Sequence, residues 1–216
     1  MKSSRLFIAL LTATALLHTA AASAAAIDMD DPRRVVGKEK NVRVDAQLIQ
    51  DTVSPGTPIG IVYQVQNQTS APIALAANVA SASFDSDTGT ITFSIGAEIP
   101  PAGPMPRMEL IAPGETKVLR AGATPPLPAR STNPRFGGQP RYVRVKVSFL
   151  RDVEPFAALI AKQTAAGGAQ FPDALFHRWF ESQDTIFMNA VPVRFSPRAP
   201  GADASVGAMA DASHRF

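Results

Sequence analysis

The stretch "RYVRVKVSFL" (141–150) decides the fold. Val143, Val145, Val147 and Phe149 fall on one side of an extended chain, while Arg144, Lys146 and Ser148 fall on the other. Side chains alternate across a strand with a period of two, so this run reads as a β-strand with one buried and one wet face. The same alternation recurs outward from it. In "NVRVDAQL" (41–48) it places Val42, Val44, Ala46 and Leu48 together, and in "TPIGIVYQVQNQ" (57–68) it groups Ile59, Ile61, Tyr63 and Val65. "APIALAANVASASF" (71–84), "GTITFSIG" (89–96), "ETKVLRAG" (115–122) and "DTIFMNAVPVRF" (184–195) complete the series, with Pro192 marking an edge position or a bulge. Half-buried strands of this kind pair antiparallel, and such a number of them is housed most economically in two packed sheets.

Between Phe149 and Ile186 the alternation stops and helical spacing takes over. "DVEPFAALIAKQTAAGG" (152–168) has Asp152 as a cap, Pro155 in the first turn and a stripe of Phe156, Leu159, Ile160 and Gln163. "FPDALFHRWFESQ" (171–183) restarts with Pro172 at the first helical position and gathers Leu175, Phe176, Trp179 and Phe180 on a broad apolar face. Two short helices are therefore expected as an insertion at 152–183, before the last strand. Two proline-rich connections, 99–108 and 124–140, are expected to run as extended, exposed loops, because proline fixes φ and removes a donor.

The ends of the chain set the compartment. Lys2 and Arg5 precede the apolar run "LFIALLTATALL" (6–17), and small residues then offer cleavage after Ala24 or Ala26. This is the layout of a signal peptide spanning 1–26. A polar lead, 27–40, is expected before a domain at 41–195, with a disordered, Ala/Gly/Pro/Ser-rich tail at 196–216. The protein is expected to be periplasmic or secreted, with no membrane-spanning segment once the signal is removed. Without any cysteine, the domain must hold together by burial alone.

The inventory of reactive groups excludes most chemistry. Of three histidines, His18 lies in the signal and His214 in the tail, which leaves His177. No thiolate is available as a nucleophile or zinc ligand, and no serine sits in a G-x-S-x-G elbow. "FDSDTGTITF" (84–93) lacks the glycine and glutamate spacing of a calcium loop and reads as a hairpin turn. Asn67 opens an "NQT" sequon, which in a bacterial-type exported chain does not point to a glycan. The basic stretch Arg130, Arg135, Arg141, Arg144 and Lys146 lacks the clustered aromatics or binding module of a nucleic-acid surface. No cofactor is expected.

The second helix then carries the functional expectation. Phe176, Arg178, Trp179 and Phe180 belong to residue types enriched at contact hot spots, so they are read as a partner-binding surface. The alternative reading takes Asp173, His177 and Glu181, spaced four apart on the opposite face and followed by Asp184, as a metal or acid–base site. The same row also describes a solvated face with a histidine between two carboxylates.

"LIAPGETKVL" (110–119), following "VYQVQNQTSAPIAL" (62–75), resembles bacterial immunoglobulin-like and fibronectin-like exported modules. There a strand ending x-V-x-N-x-T meets a small-residue turn, and L-x-P-G-E marks a later turn between strands. The resemblance covers residues 41 to 123 and lacks the family's core tryptophan and inter-sheet cysteine pair. It implies an immunoglobulin-like antiparallel β-sandwich and no site residues. Together these readings give a mostly β, non-enzymatic module that binds a protein partner of the cell envelope through its helical insertion.

Overall fold

The computed structural model of the chain describes residues 27–127, 138–163 and 168–197. Residues 1–26, where the signal peptide is expected, residues 128–137 of the second proline-rich connection, residues 164–167 and residues 198–216 of the expected tail lie outside the described residues.

The architecture is mostly β, with open sheets and two short helices. In chain order the strands are β1 (Arg34–Glu39), β2 (Val42–Leu48), β3 (Thr52–Val53), β4 (Ile59–Asn67), β5 (Ile73–Leu75), β6 (Ala80–Asp85) and β7 (Thr90–Ile95). They continue with β8 (Glu109–Ile111), β9 (Thr116–Ala123) and β10 (Tyr142–Leu150). The helices α1 (Ala157–Ala161) and α2 (Phe176–Ser182) follow, each entered by a 3-10 turn, and β11 (Gln183–Pro192) and β12 (Arg194–Phe195) close the set.

One sheet has the order β1-β2-β4-β9 and is antiparallel throughout. The other has the order β6-β7-β10-β5-β8, with β11 paired to β10. Two pairings run parallel, contrary to the antiparallel expectation: β7 with β10, and β3 with β12. The long connection between β7 and β10, which carries β8 and β9, is what permits them to lie side by side in the same direction. Segment 71–84 is divided: β5 and β6 flank a turn at Ala77–Asn78, and every residue of β5 is buried. The polar lead is corrected as well. Residues 34–39 form β1, an edge strand whose Val35 is buried and whose lysine and glutamate face water.

The strands obey the period-two reading. Val42, Val44, Ile59, Ile61, Tyr63 and Val65 of the first sheet share one cluster with Ile91, Phe93, Val143, Val145, Val147 and Phe149 of the second. β11 is an edge strand, and its register shifts between Arg144 and Lys146, where Met188 and Asn189 both stand opposite Val145. This bulge rephases the strand, so Ile186, Met188 and Val191 all reach the core. On this side the sheets approach closely. A Cβ at Gly37 of β1 would collide with Ile186 Cγ2 and Met188 Cγ, so glycine is required there. Lys40, in the two-residue β1–β2 turn with Asn41, both at positive φ, reaches across to Asp184 at 2.6 Å.

Asn67 sits where the chain passes twice between the sheets, from β4 to β5 and from β8 to β9. It is fully buried. Its Nδ2 donates to the Ala71 carbonyl at 2.8 Å and to the Ile111 carbonyl at 2.9 Å. Its Oδ1 accepts from the Thr69 amide at 2.9 Å and the Thr69 hydroxyl at 2.7 Å. The β8–β9 turn, with Gly114 at φ 75° and its amide on the Asn67 carbonyl at 2.7 Å, completes the joint. Asn67→Asp keeps the volume but removes both donors, setting a carboxylate against two carbonyls. The expected loss is about 2–4 kcal/mol in urea unfolding, since each buried group left unpaired costs about 1–3 kcal/mol.

Tyr63 is buried in the core, and its hydroxyl has no hydrogen-bond partner among the described residues. Burial, with a contribution from the Glu109 carboxylate, pushes its phenol well above the usual tyrosine range. The folded state thus holds this proton more tightly than the unfolded chain does. Stability tied to Tyr63 is intact below the ordinary tyrosine pKa of about 10 and falls as pH rises beyond it. Tyr63→Phe should leave stability at neutral pH equal or higher and flatten the decline above about pH 10. Thermal melts across an alkaline series check this.

Candidate functional site

The helical insertion exists because the sheet corner at β5 and β10 needs cover on its outer side. Phe149 points into the main core, and its neighbour Leu150 points the other way. Leu150, Ala74 and Ala76 form a second cluster with Met105, Met108, Val153, Phe156, Phe171 and Trp179. Trp179 is at 0% exposure and meets Phe156 and Phe171 edge-on, with ring centroids at 5.5 Å in each case. Such T-shaped contacts add about 0.5–1.5 kcal/mol beyond area burial.

The loop 99–108 is not the free extended connection its prolines suggest. Met105 and Met108 are buried, and Pro104 bridges Gln170. The Met105 amide donates to the Ala169 carbonyl at 2.9 Å, and the Phe171 amide to the Gly103 carbonyl at 3.1 Å. Gln163 clamps the same loop. Its Oε1 accepts the Met108 amide at 3.0 Å and its Nε2 donates to the Pro106 carbonyl at 2.7 Å. The prolines suit this arrangement, because the backbone groups that remain find partners on the 163–171 segment.

Both helices are shorter than the spacing predicts. Asp152 is not the cap of the first: its Oδ1 accepts the Glu154 amide at 3.1 Å, but the 3-10 turn is capped at Val153 and α1 at Phe156, both without a side-chain bond, and α1 ends at Ala161. The second begins with a 3-10 turn at Asp173–Leu175, and regular α geometry covers only Phe176–Ser182. The row Asp173, His177, Glu181 and Asp184 therefore does not form. A 3-10 turn rotates each residue further than an α-helix, so Asp173 leaves the face of His177. Asp184 lies on β11, where Lys40 and Arg151 Nη1, at 2.8 Å, hold it. Glu181 pairs with Arg178 at 3.1 Å in the open. His177 is exposed, against the edge of Phe176 at 6.1 Å. No group of three His, Cys, Asp or Glu among the described residues is placed to hold a metal ion.

The four residues read as a contact surface divide. Trp179 is corrected to a core residue, because the helix turns its indole onto the second cluster. Phe176 and Phe180 stay outside, at 42% and 48% exposure, with their rings 5.3 Å apart and edge-on. Arg178 lies exposed on the same helix. An exposed pair like Arg178–Glu181 contributes only about 0–1 kcal/mol to stability. The exposed arc of α2 thus runs from the Phe176–Phe180 pair through His177 and Glu181 to Arg178, while its inner side is an anchor.

Two other sites were tested by geometry. Asp85 and Asp87 occupy the β6–β7 hairpin turn, where Asp85 accepts the Asp87 amide at 2.9 Å and the Thr88 hydroxyl at 2.8 Å. These bonds hold its carboxyl below the usual range, Thr88 foremost, and make a turn of it. At the sequon, both Nδ2 hydrogens of Asn67 are spent inside the protein, which is incompatible with a glycan on the folded chain.

A groove of about 480 Å³ was not foreseen from sequence. Asp31, Pro32, Arg33, Asp51 and Val191 to Arg194 line it. Arg33, through side-chain and backbone hydrogen bonds, holds the Asp31 carboxyl well below the usual range, with Gln47 assisting. Arg194 stands 3.8 Å from Asp51. Its charges are paired with one another, Asp31 with Arg33 and Asp51 with Arg194. Its only advance signal is the "DDPRR" run (30–34).

No helix among the described residues is long and apolar enough to cross a membrane. Comparison with protein families, curated proteins and solved structures finds no match for the chain.

The single tryptophan reports on the anchor. Its fluorescence should be several-fold less quenched by acrylamide in the folded protein than in urea. Trp179→Ala should cost about 3–5 kcal/mol in chemical unfolding.

Proposed function

We propose that this chain is an exported, non-enzymatic binding module of the bacterial cell envelope, and that it contacts a protein partner through the outer side of α2. The observation that carries this reading is the exposed, mutually packed pair Phe176–Phe180, on a helix fixed from behind by Trp179 and with Arg178 exposed further round it. Aromatic and arginine side chains on a pre-anchored element have little freedom left to lose on binding, which is how a small surface gains affinity. The partner presents an apolar pocket for the two rings with acidic groups at its rim for Arg178. The export signal at 1–26 supports an envelope location. The framework we propose is an immunoglobulin-like sandwich. Two open sheets with a common core, and the Pro113–Gly114 turn between β8 and β9, support it.

The test replaces Phe176 and Phe180 with glutamate together. Both rings are exposed, so the melting temperature should stay within a few degrees of wild type. A photo-crosslinking amino acid at position 178, used in the native host, should yield a discrete adduct in the wild-type background that the double variant loses. An adduct of equal yield in both backgrounds refutes the α2 surface.

A further inference from the structure

The two sides of the paired sheets are not finished alike. On one side β1 lies tightly on β11 through Gly37. On the other, the edges are β9 of the first sheet and β6 of the second. Most of the core's partly buried residues lie along these edges: Ala80, Ala82 and Phe84 on β6, and Leu119, Ala121 and Ala123 on β9.

β9 lacks the proline, bulge and shortness that protect the other edge strands. It pairs with β4 without a register break, and "TKVLRAGA" contains no proline. By contrast β11 has its bulge and Pro192, and β8 has three residues. One charge, Lys117, faces inward, but it is neutralised locally: it donates to the Leu110 carbonyl at 2.6 Å and lies 3.5 Å from Glu109 and 3.8 Å from Glu115. Long regular edges of this kind are templates for another strand.

The hydrogen-bond phase fixes which backbone groups of β9 turn away from β4. The Asn67 amide donates to the Glu115 carbonyl, which continues the register of the ladder and shows that Asn67 turns its backbone groups toward β9. Hydrogen-bonded pairs alternate with non-hydrogen-bonded ones along an antiparallel ladder. Lys117, Leu119, Ala121 and Ala123 consequently turn their backbone groups to β4. Thr116, Val118, Arg120 and Gly122 turn theirs outward.

We infer that the occupant of this edge is a second copy of the chain, its β9 antiparallel to the first across a twofold axis at Leu119. In that register Thr116 pairs with Gly122 of the second copy and Val118 with Arg120, so every outward amide and carbonyl of the strand is satisfied. Leu119 meets Leu119 on the inner face and covers the open seam. Centring instead on Val118 leaves Gly122 outside the ladder. Centring on Arg120 leaves Thr116 outside and sets two guanidinium groups face to face, which is repulsive. Charge and register thus select one self-complementary arrangement, and the two four-stranded sheets become continuous.

The test uses the mature protein. Sedimentation velocity over a concentration series should show the weight-average mass doubling. Arg120→Pro should abolish that rise without disturbing the β4 ladder, because the amide it removes points outward. The chain has no cysteine, so Leu119→Cys gives a clean second readout. Opposed residues of a non-hydrogen-bonded pair sit about 4.5 Å apart, within the disulfide range of about 4.4–6.8 Å. Leu119→Cys should therefore form a disulfide dimer several times faster than Val118→Cys. A wild-type protein that stays monomeric at all concentrations, or equal cross-linking at 118 and 119, overturns the inference.

Discussion

The structure depends on Asn67. Wherever a chain moves from one sheet to another it must leave one ladder before joining the next, and its backbone groups then lack partners. Here two such passages run side by side, β4 to β5 and β8 to β9. One fully buried amide serves both, binding Ala71 on the first and Ile111 on the second. A hydrophobic residue of similar size would fill the space and take the Asn67 donor from the Ile111 carbonyl, leaving the Ala71 carbonyl to the Thr69 hydroxyl alone, which is costly. The position is thus selected by hydrogen-bond stoichiometry: two donors and one acceptor at a single fixed point.

A second constraint follows from where β5 is delivered. It joins the end of β10, at Leu150 with Ala74, so this corner of the sheet is apolar on both faces. The main core covers one face; the other requires an added layer. The insertion and the methionine-bearing loop supply it, and the burial of Trp179 and Phe156 is the consequence. The surface we propose for a partner is a by-product of this structural duty. A helix of seven residues cannot bury every large side chain it carries, and Phe176 and Phe180 are what remains outside.

Much of this was legible in the residues, to a degree that tracks periodicity. β2, β4, β7, β9 and β10 announce themselves because one face is buried and the other wet. β1 does not, since only Val35 and Val36 interrupt its charges. β3, β8 and β12 are too short to show a period, and β5 has none because both its faces are buried. The helices were visible as helical spacing, but their lengths were set by tertiary packing. That is why the Asp173–His177–Glu181 row dissolved: it assumed α geometry through a segment that begins as a tighter turn. The docking of 99–108 was invisible for a similar reason. Proline content speaks for local conformation and not for the partner that Gln163 provides across the fold.

The asymmetry of the edges ties these points together. Closing the β1–β11 side demanded a missing side chain at Gly37, a bulge at Met188–Asn189 and an ion pair from Lys40 to Asp184. Each restricts what that flank can do besides hold the sheets together, and β11 is also the strand into which α2 runs directly. Among the described residues the β6–β9 side bears no such load. Its inward residues are mostly alanine, small enough that the core remains partly open to water there, and β9 keeps a straight, unbroken ladder. In a chain without disulfides, leaving a core flank open lowers stability with no return unless something else covers it. The cost of that opening is the physical argument for treating β9 as an interface and not as an unfinished edge.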